Sequence, residues 1–294
     1  MKLWTDKAER GSEWLIRLIA WLARRTGRRL CKLLLYPIVL YFMLTDRTAR
    51  RASAEFLQAA LGRPARWRDT FAHFYSFATT LLDRVYMAAG DFARFEVTID
   101  GLDRLEQALH AGRGCLLLGS HLGSFDMMLL AQRAMDGRKV SVMMRVDPRT
   151  RVRRIAGVHD EELNVIPLGR PDSYLRAHAA LDAGSIVGAL ADRTDGSTEL
   201  PARFLGKMTA LPVAPHVLAA RNQTPVLMCF GLYEGANRYR IEFVEFGPPA
   251  PQASRGEQLQ PWVDRYAAIL EKYACRYPLN WFNFYPYWRD GLAA

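Results

Sequence analysis

Gly112-Arg113-Gly114-Cys115-Leu116-Leu117-Leu118-Gly119-Ser120-His121-Leu122-Gly123-Ser124-Phe125-Asp126 is the stretch on which both the fold and the chemistry turn. Cys115 to Leu118 is a short apolar run behind two glycines, the pattern of a core strand. Met127 to Ala134 continues as an apolar stretch compatible with a helix, so His121 falls in a strand-to-helix turn. In one continuous helix, residues five apart point roughly 140° away from each other. His121 and Asp126 therefore meet only with the histidine in the turn and the carboxylate in the first helical residues. Such a carboxylate suits an imidazole held in one tautomer to remove a proton. The other reading of this pair is a turn histidine satisfied beside a helix-start aspartate.

Outward from this stretch, the periodicity alternates between strand and helix. Upstream, Asp46 caps a helix expected over residues 47–61, which Gly62 and Pro64 break. Trp67 to Ala89 is a second helix with one apolar face, stopped at Gly90. Phe95, Val97 and Ile99 alternate as a strand, and Leu102, Leu105 and Leu109 form a helix stripe. Downstream, strands are expected at 139–145, 164–167, 185–191, 224–233 and 238–246. Helices are expected at 172–183, 212–221 and 256–275. This order predicts an α/β fold: one domain with a mixed, mostly parallel sheet flanked by helices. Residues 1–45 read as a basic amphipathic segment and 46–294 as the catalytic domain, helical over 46–90 and α/β over 94–294.

The charge is concentrated at the start of the chain. The net charge is +10, and residues 1–51 hold twelve Lys and Arg against four acids, a net +8. Between those charges lie apolar runs at 14–23 and 30–44. Neither reaches the roughly 20 residues of a spanning helix, and the cluster Arg24, Arg25, Arg28, Arg29 between them is costly to place in hydrocarbon. Two short helices at the interface, with arginines toward anionic headgroups, are the expected arrangement. The alternatives are an ordinary core helix pair with a solvated basic face, or one tilted span. A cleavable signal peptide is not expected, because no small-residue cleavage site follows the apolar run. The Trp, Leu and Ile content favours an anionic membrane surface over nucleic acid as the partner.

The four cysteines, Cys31, Cys115, Cys229 and Cys275, have neither paired nor metal-ligand spacing, which fits reduced thiols. The six histidines also lack zinc spacing, so no metal is expected. His73, His110, His159, His178 and His216 have no partner pattern and read as surface or core residues.

His121-x4-Asp126 resembles the signature of the glycerolipid and lipid A acyltransferase superfamily, and four further segments are similar, in order, to the family that adds secondary acyl chains to lipid A. Val142-Met143-Met144-Arg145 ends a strand in an arginine, where that family contacts substrate. Gly188 to Arg193 resembles its strand ending in aspartate, although its usual Asp-Gln-Asp is here Asp192-Arg193-Thr194. Arg203-Phe204-Leu205-Gly206 resembles its Phe-Phe-Gly turn, and Leu211 to Pro215 leads into a helix as the family's late passage does. The likeness covers about residues 10–290.

The resemblance implies an O-acyltransferase at the cytoplasmic face of a bacterial inner membrane. It would move a fatty acyl group from an acyl thioester, on acyl carrier protein or coenzyme A, to a lipid hydroxyl, with no cofactor. It implies His121 as general base and Asp126 as its orienting partner. Arg145, Asp192, Arg193 and Gly206 would be substrate-binding, although Asp192 and Arg193 also read as a local ion pair and Gly206 as a turn glycine. The basic run Arg145, Arg149, Arg151, Arg153 and Arg154 favours acidic acyl carrier protein as donor. The lipid A enzymes share a C-terminal tryptophan followed by His-Arg-Arg. Here Trp281 is followed by Phe282, Asn283, Phe284 and Tyr285, which favours a less charged acceptor such as a glycolipid.

Two other readings fit the same residues. One is a thioesterase-like hydrolase using the same His–Asp pair; a serine nucleophile elbow is excluded because His121 stands at the centre of Gly119-Ser120-His121-Leu122-Gly123. The other is a non-catalytic membrane-binding protein. The aromatic run Tyr277 to Trp288 reads as a packed tail or an interfacial belt.

Overall fold

The structure is a computed structural model that describes residues 25, 27–110, 112–124, 140–145, 164–193 and 198–288. The expectations for the apolar run 14–23, Asp126 and the helix after it, Arg149 to Arg154, His159 and Thr194 lie outside the described residues. The chain divides into two compact units, one helical and one built on the sheet.

The helical unit contains α1 (Arg28–Thr45), α2 (Arg47–Leu61) and α3 (Trp67–Ala88), and takes in Asn283–Pro286 from far along the chain. Asp46 caps α2 by accepting from the Ala49 N–H at 2.9 Å, and Gly62 ends it at φ 63°. In α1, Cys31, Leu35, Val39 and Met43 recur every fourth residue and are buried as one face. Phe284 packs its ring against His73, Phe74 and Phe77 of α3.

Arg28 departs from the expectation that it faces headgroups. Its guanidinium forks onto the buried Asp83 of α3, at 2.7 and 2.8 Å. A buried carboxylate without such a partner would be strongly destabilising, and Arg28 supplies one.

The sheet unit holds β1 (Glu96–Asp100), α4 (Leu102–His110), β2 (Cys115–Gly119), β3 (Val140–Arg145), β4 (Asn164–Leu168), α5 (Ser173–Asp182) and β5 (Ile186–Leu190). They are followed by β6 (Glu199–Phe204), β7 (Lys207–Pro212), α6 (Ala214–Asn222), β8 (Val226–Gly235), β9 (Arg238–Gly247) and α7 (Gln260–Arg276). Seven strands form one sheet in the order β1-β9-β8-β2-β5-β3-β4. Strands β8, β2, β5, β3 and β4 run parallel, and β9 turns back antiparallel to β8. The expected mixed, mostly parallel sheet flanked by helices is the fold observed. Every residue of β2 is buried, as a central parallel strand covered on both faces requires.

The hairpin of β6 and β7 is an element the periodicity missed. Its two-residue turn, Leu205-Gly206, has both residues at positive φ (52° and 77°), the primed geometry that fits strand twist. Leucine is rarely placed there, so composition points away from a hairpin.

Helix α7 buries Val263, Tyr266, Ala267, Leu270, Tyr273 and Ala274 along one stripe. Tyr266 meets the ring of His216, which also stacks on Phe246. His216 is 3% exposed, and among the described residues its Nε2 has no hydrogen-bond partner. Burial pushes its pKa from the ordinary 6.5 down to about 4. Between those values the unfolded chain binds the extra proton, so stability is complete above pH 6.5 and falls as pH drops toward 4, by about 3 kcal/mol. A His216→Phe variant should keep the ring packing and flatten this part of the stability–pH curve, read as the difference from wild type in urea midpoints at pH 7 and pH 4.5. Parallel curves for the two proteins would discount the effect.

Candidate active site

The carboxyl ends of adjacent parallel strands gather the titratable groups. Strands β2 and β5 pair with Gly119 opposite Leu190, and the Ala191 N–H donates to the Gly119 carbonyl at 3.1 Å. Two residues beyond that pair stand His121 on one side and Asp192 on the other. Register alone thus sets them face to face, although 71 positions separate them in the chain. Arg145 ends β3 and is exposed, and β3 pairs β5 on its other edge. Crevices outside the carboxyl ends of such strands are where open α/β sheets bind ligands.

Asp192 is buried and engages His121 twice. One oxygen accepts from the His121 backbone N–H at 3.0 Å, and the carboxylate lies 2.9 and 3.1 Å from the imidazole Nδ1. A carboxylate only accepts, so Nδ1 carries the proton and Nε2 holds the lone pair. The His121 side chain is 27% exposed while that of Asp192 is 0% exposed, so an imidazole partly open to the surface is backed by a carboxylate withdrawn from water.

Aromatic hydroxyls fix the frame around this pair. The Tyr287 hydroxyl donates to the Asp192 carbonyl at 2.9 Å, and the Tyr266 hydroxyl donates to the Gly119 carbonyl at 2.8 Å. The Tyr266 phenol is held well above its ordinary pKa, first by burial and then by the nearby charge of Asp192, so it remains a donor. Gly123 has φ 87°, and a Cβ there would lie 2.2 Å from the Gly231 carbonyl oxygen. No other residue type allows the turn to approach β8 this closely.

The other residues singled out from sequence are placed as follows. The Arg193 guanidinium donates to the Phe282 carbonyl at 3.1 Å. Gly206 sits in the β6–β7 hairpin turn, and Arg203 donates to its carbonyl. Ser120 and Ser124 are buried, and the Ser120 hydroxyl accepts from the Leu122 N–H. The segment Tyr277 to Trp288 is a packed tail: Trp281 is completely buried, tilted against Phe204 and edge-on to Tyr287. Asn283, which stands in the stretch after the tryptophan, is also buried. Among the described residues no cluster of His, Cys, Asp and Glu could hold a metal.

Sequence reasoning missed the meeting of Asp192 with His121. The signal that could have found it was the equal two-residue overhang of each polar residue past its apolar strand.

The chain belongs to the bacterial lipid A biosynthesis acyltransferase family, whose family model matches residues 9–290. Among individual proteins, it is similar to a phosphatidylinositol mannoside acyltransferase of Mycobacterium tuberculosis, with 28% identity over 204 residues. That match covers 66% of this chain and spans 61% of the length of the relative. The phosphatidylinositol mannoside acyltransferase of Mycolicibacterium smegmatis is 25% identical over 246 residues, covering 81% of this chain and 74% of that one.

Proposed function

We propose that the protein transfers a fatty acyl group from an acyl thioester to a hydroxyl of a membrane glycolipid, with His121 as general base. The observation that carries this reading is the buried Asp192 carboxylate on Nδ1 of His121, which sets the tautomer with the lone pair on Nε2 in a side chain that is 27% exposed. The acceptor hydroxyl gives its proton to Nε2 as its oxygen bonds to the thioester carbonyl carbon. The tetrahedral oxyanion then collapses, the C–S bond breaks, and the imidazolium returns the proton to the departing thiolate. Asp192 stabilises the imidazolium between these steps. Arg145, at the end of β3, is the cation we assign to the donor or to the developing oxyanion, and Asp126 is the second carboxylate, which the His-x4-Asp spacing assigns to orienting the imidazole.

An already activated thioester needs neither a metal nor a covalent enzyme intermediate, so the His–Asp pair is chemically sufficient. The named substrates of the relatives support a glycolipid acceptor. So does the tail, where Asn283 is buried and Phe284 packs against the core of the helical unit. Acyl carrier protein is the donor we favour, on the charge of the arginine run. Incubating purified protein with an acyl thioester, with and without a mannosylated phosphoinositide, and weighing the products by mass spectrometry tests the proposal. Free fatty acid at equal rates in both arms would make it a thioesterase, and no thioester consumption would leave a membrane-binding protein.

Membrane association is part of the same proposal, at the cytoplasmic face of a bacterial inner membrane. No described helix is long and apolar enough to cross a membrane. Yet α1 is apolar on two opposite faces. Against its buried stripe stand Leu30, Leu33, Leu34, Tyr41 and Leu44, all exposed, with Arg25 and Arg29 at one end and Arg47 and Arg51 at the other. A contiguous apolar strip between basic ends suits a helix lying in the plane of an anionic interface. The double substitution Leu33→Glu with Tyr41→Glu should reduce flotation with anionic vesicles by about tenfold or more, given about 1.5–3 kcal/mol for each large side chain. Unchanged flotation would assign the docking to another surface.

A further inference from the structure

The turn that carries His121 is held from two sides, and only one of them is the sheet's own ladder. Strand β8 is ten residues long and its neighbour β2 five. They pair only from Leu116–Val226 to Leu118–Met228, so β8 runs on past the end of β2 with that edge bare. Buried backbone groups need partners. The first part of the edge is taken by the catalytic turn itself, where the Ser124 N–H donates to the Gly231 carbonyl at 2.7 Å.

Asn280 takes the next part. Its carboxamide Oδ1 accepts from the Tyr233 N–H at 2.8 Å, and its Nδ2 donates to the Tyr233 carbonyl at 3.0 Å. The side chain is buried and stands in for a peptide group of a missing strand. From that anchor the backbone reaches the turn. The Asn280 carbonyl accepts from the Gly123 N–H at 2.7 Å, Trp281 bridges Leu122 antiparallel, and the Phe282 N–H donates to the His121 carbonyl at 2.8 Å. Residues 121 to 123 thus each rest on this segment through main-chain groups, while Asp192 holds the imidazole.

We infer that Asn280 is a positioning residue: by locking Pro278–Phe282 to the bare edge of β8 it sets the backbone of His121, and with it where Nε2 stands over the reacting hydroxyl. The inference deepens the acyl-transfer proposal and rests on it for its kinetic arm alone. Displacements of about 1 Å at a catalytic base cost on the order of 100-fold in rate.

The test uses full-length protein carrying Asn280→Ala, with Asn280→Asp as the variant that keeps the Oδ1 acceptor should alanine fail to fold. Leu105→Ala, a core deletion in α4, serves as the control for lost stability. Two readouts are taken: kcat and KM for acyl transfer, and the downfield proton resonance of the His121 Nδ1–H bonded to Asp192, recorded without substrate. Removing the Asn280 contacts should lower kcat roughly 10- to 100-fold with KM for the donor within about twofold, and should shift or broaden the resonance. Leu105→Ala should lower Tm yet leave both readouts in place at a temperature where it is folded. A folded Asn280 variant with wild-type kcat and an unaltered resonance overturns the inference, as does an equal loss in the control. Absence of acyl transfer in the wild type would sink the functional reading only, and the resonance would then decide the positioning role by itself.

Discussion

Replacing His121 with alanine is expected to lower acyl transfer by about 10²–10⁴-fold, the usual worth of a positioned general base, while leaving the protein folded. The residue stands at a strand end with part of its side chain open to the surface, so little packing is lost. The exposed cost falls on Asp192, which would keep the residue-121 N–H but lose its imidazole partner. His121→Asn, which retains an amide donor near Asp192 and still lacks a base, separates that cost from the chemistry. Both variants should bind donor with nearly unchanged KM and share the rate loss. Folded His121→Ala protein with near-normal turnover would remove the central assignment.

An Asp192→Asn variant should lose nearly as much, about 10²–10⁴-fold, for a different reason. With its carbonyl oxygen accepting from the His121 backbone N–H, its amide group faces Nδ1 and donates. Nδ1 must then be unprotonated and Nε2 protonated, so the ring presents no lone pair to the acceptor hydroxyl. Nitrogen chemical shifts of the imidazole would read the tautomer directly, and the rate would read its consequence. Asp126→Asn made in parallel decides between the two carboxylates. If that variant collapses while Asp192→Asn works normally, the orienting role belongs to Asp126, as the His-x4-Asp spacing suggests.

Much of the fold is legible from local pattern because the physics that writes it is local. Asp46 before a helical run and Gly62 after it mark α2, and both ends lie where capping chemistry puts them. Cys115 to Leu118, uniformly apolar, announces a strand covered on both faces. The β6–β7 hairpin was not legible, since its turn places Leu205 at a positive φ that leucine rarely adopts. Nor was the direction of Arg28, where the same side chain serves a headgroup or a buried carboxylate equally well and only the neighbouring helix decides.

What the sequence alone determined is that a histidine stands just past a buried central strand, in a chain with a basic, apolar beginning and an α/β order. Those features follow from side-chain period, charge and turn chemistry, all of them properties of neighbours in the chain. Which groups surround the histidine was decided by the tertiary structure. Asp192 reaches Nδ1 because parallel pairing places two strand ends in register across 71 residues. Asn280 reaches the same turn because a long strand outruns a short one and leaves an edge to be filled. Hydrogen-bond satisfaction between distant segments has no period in the sequence, and it is this that sets the geometry of the site.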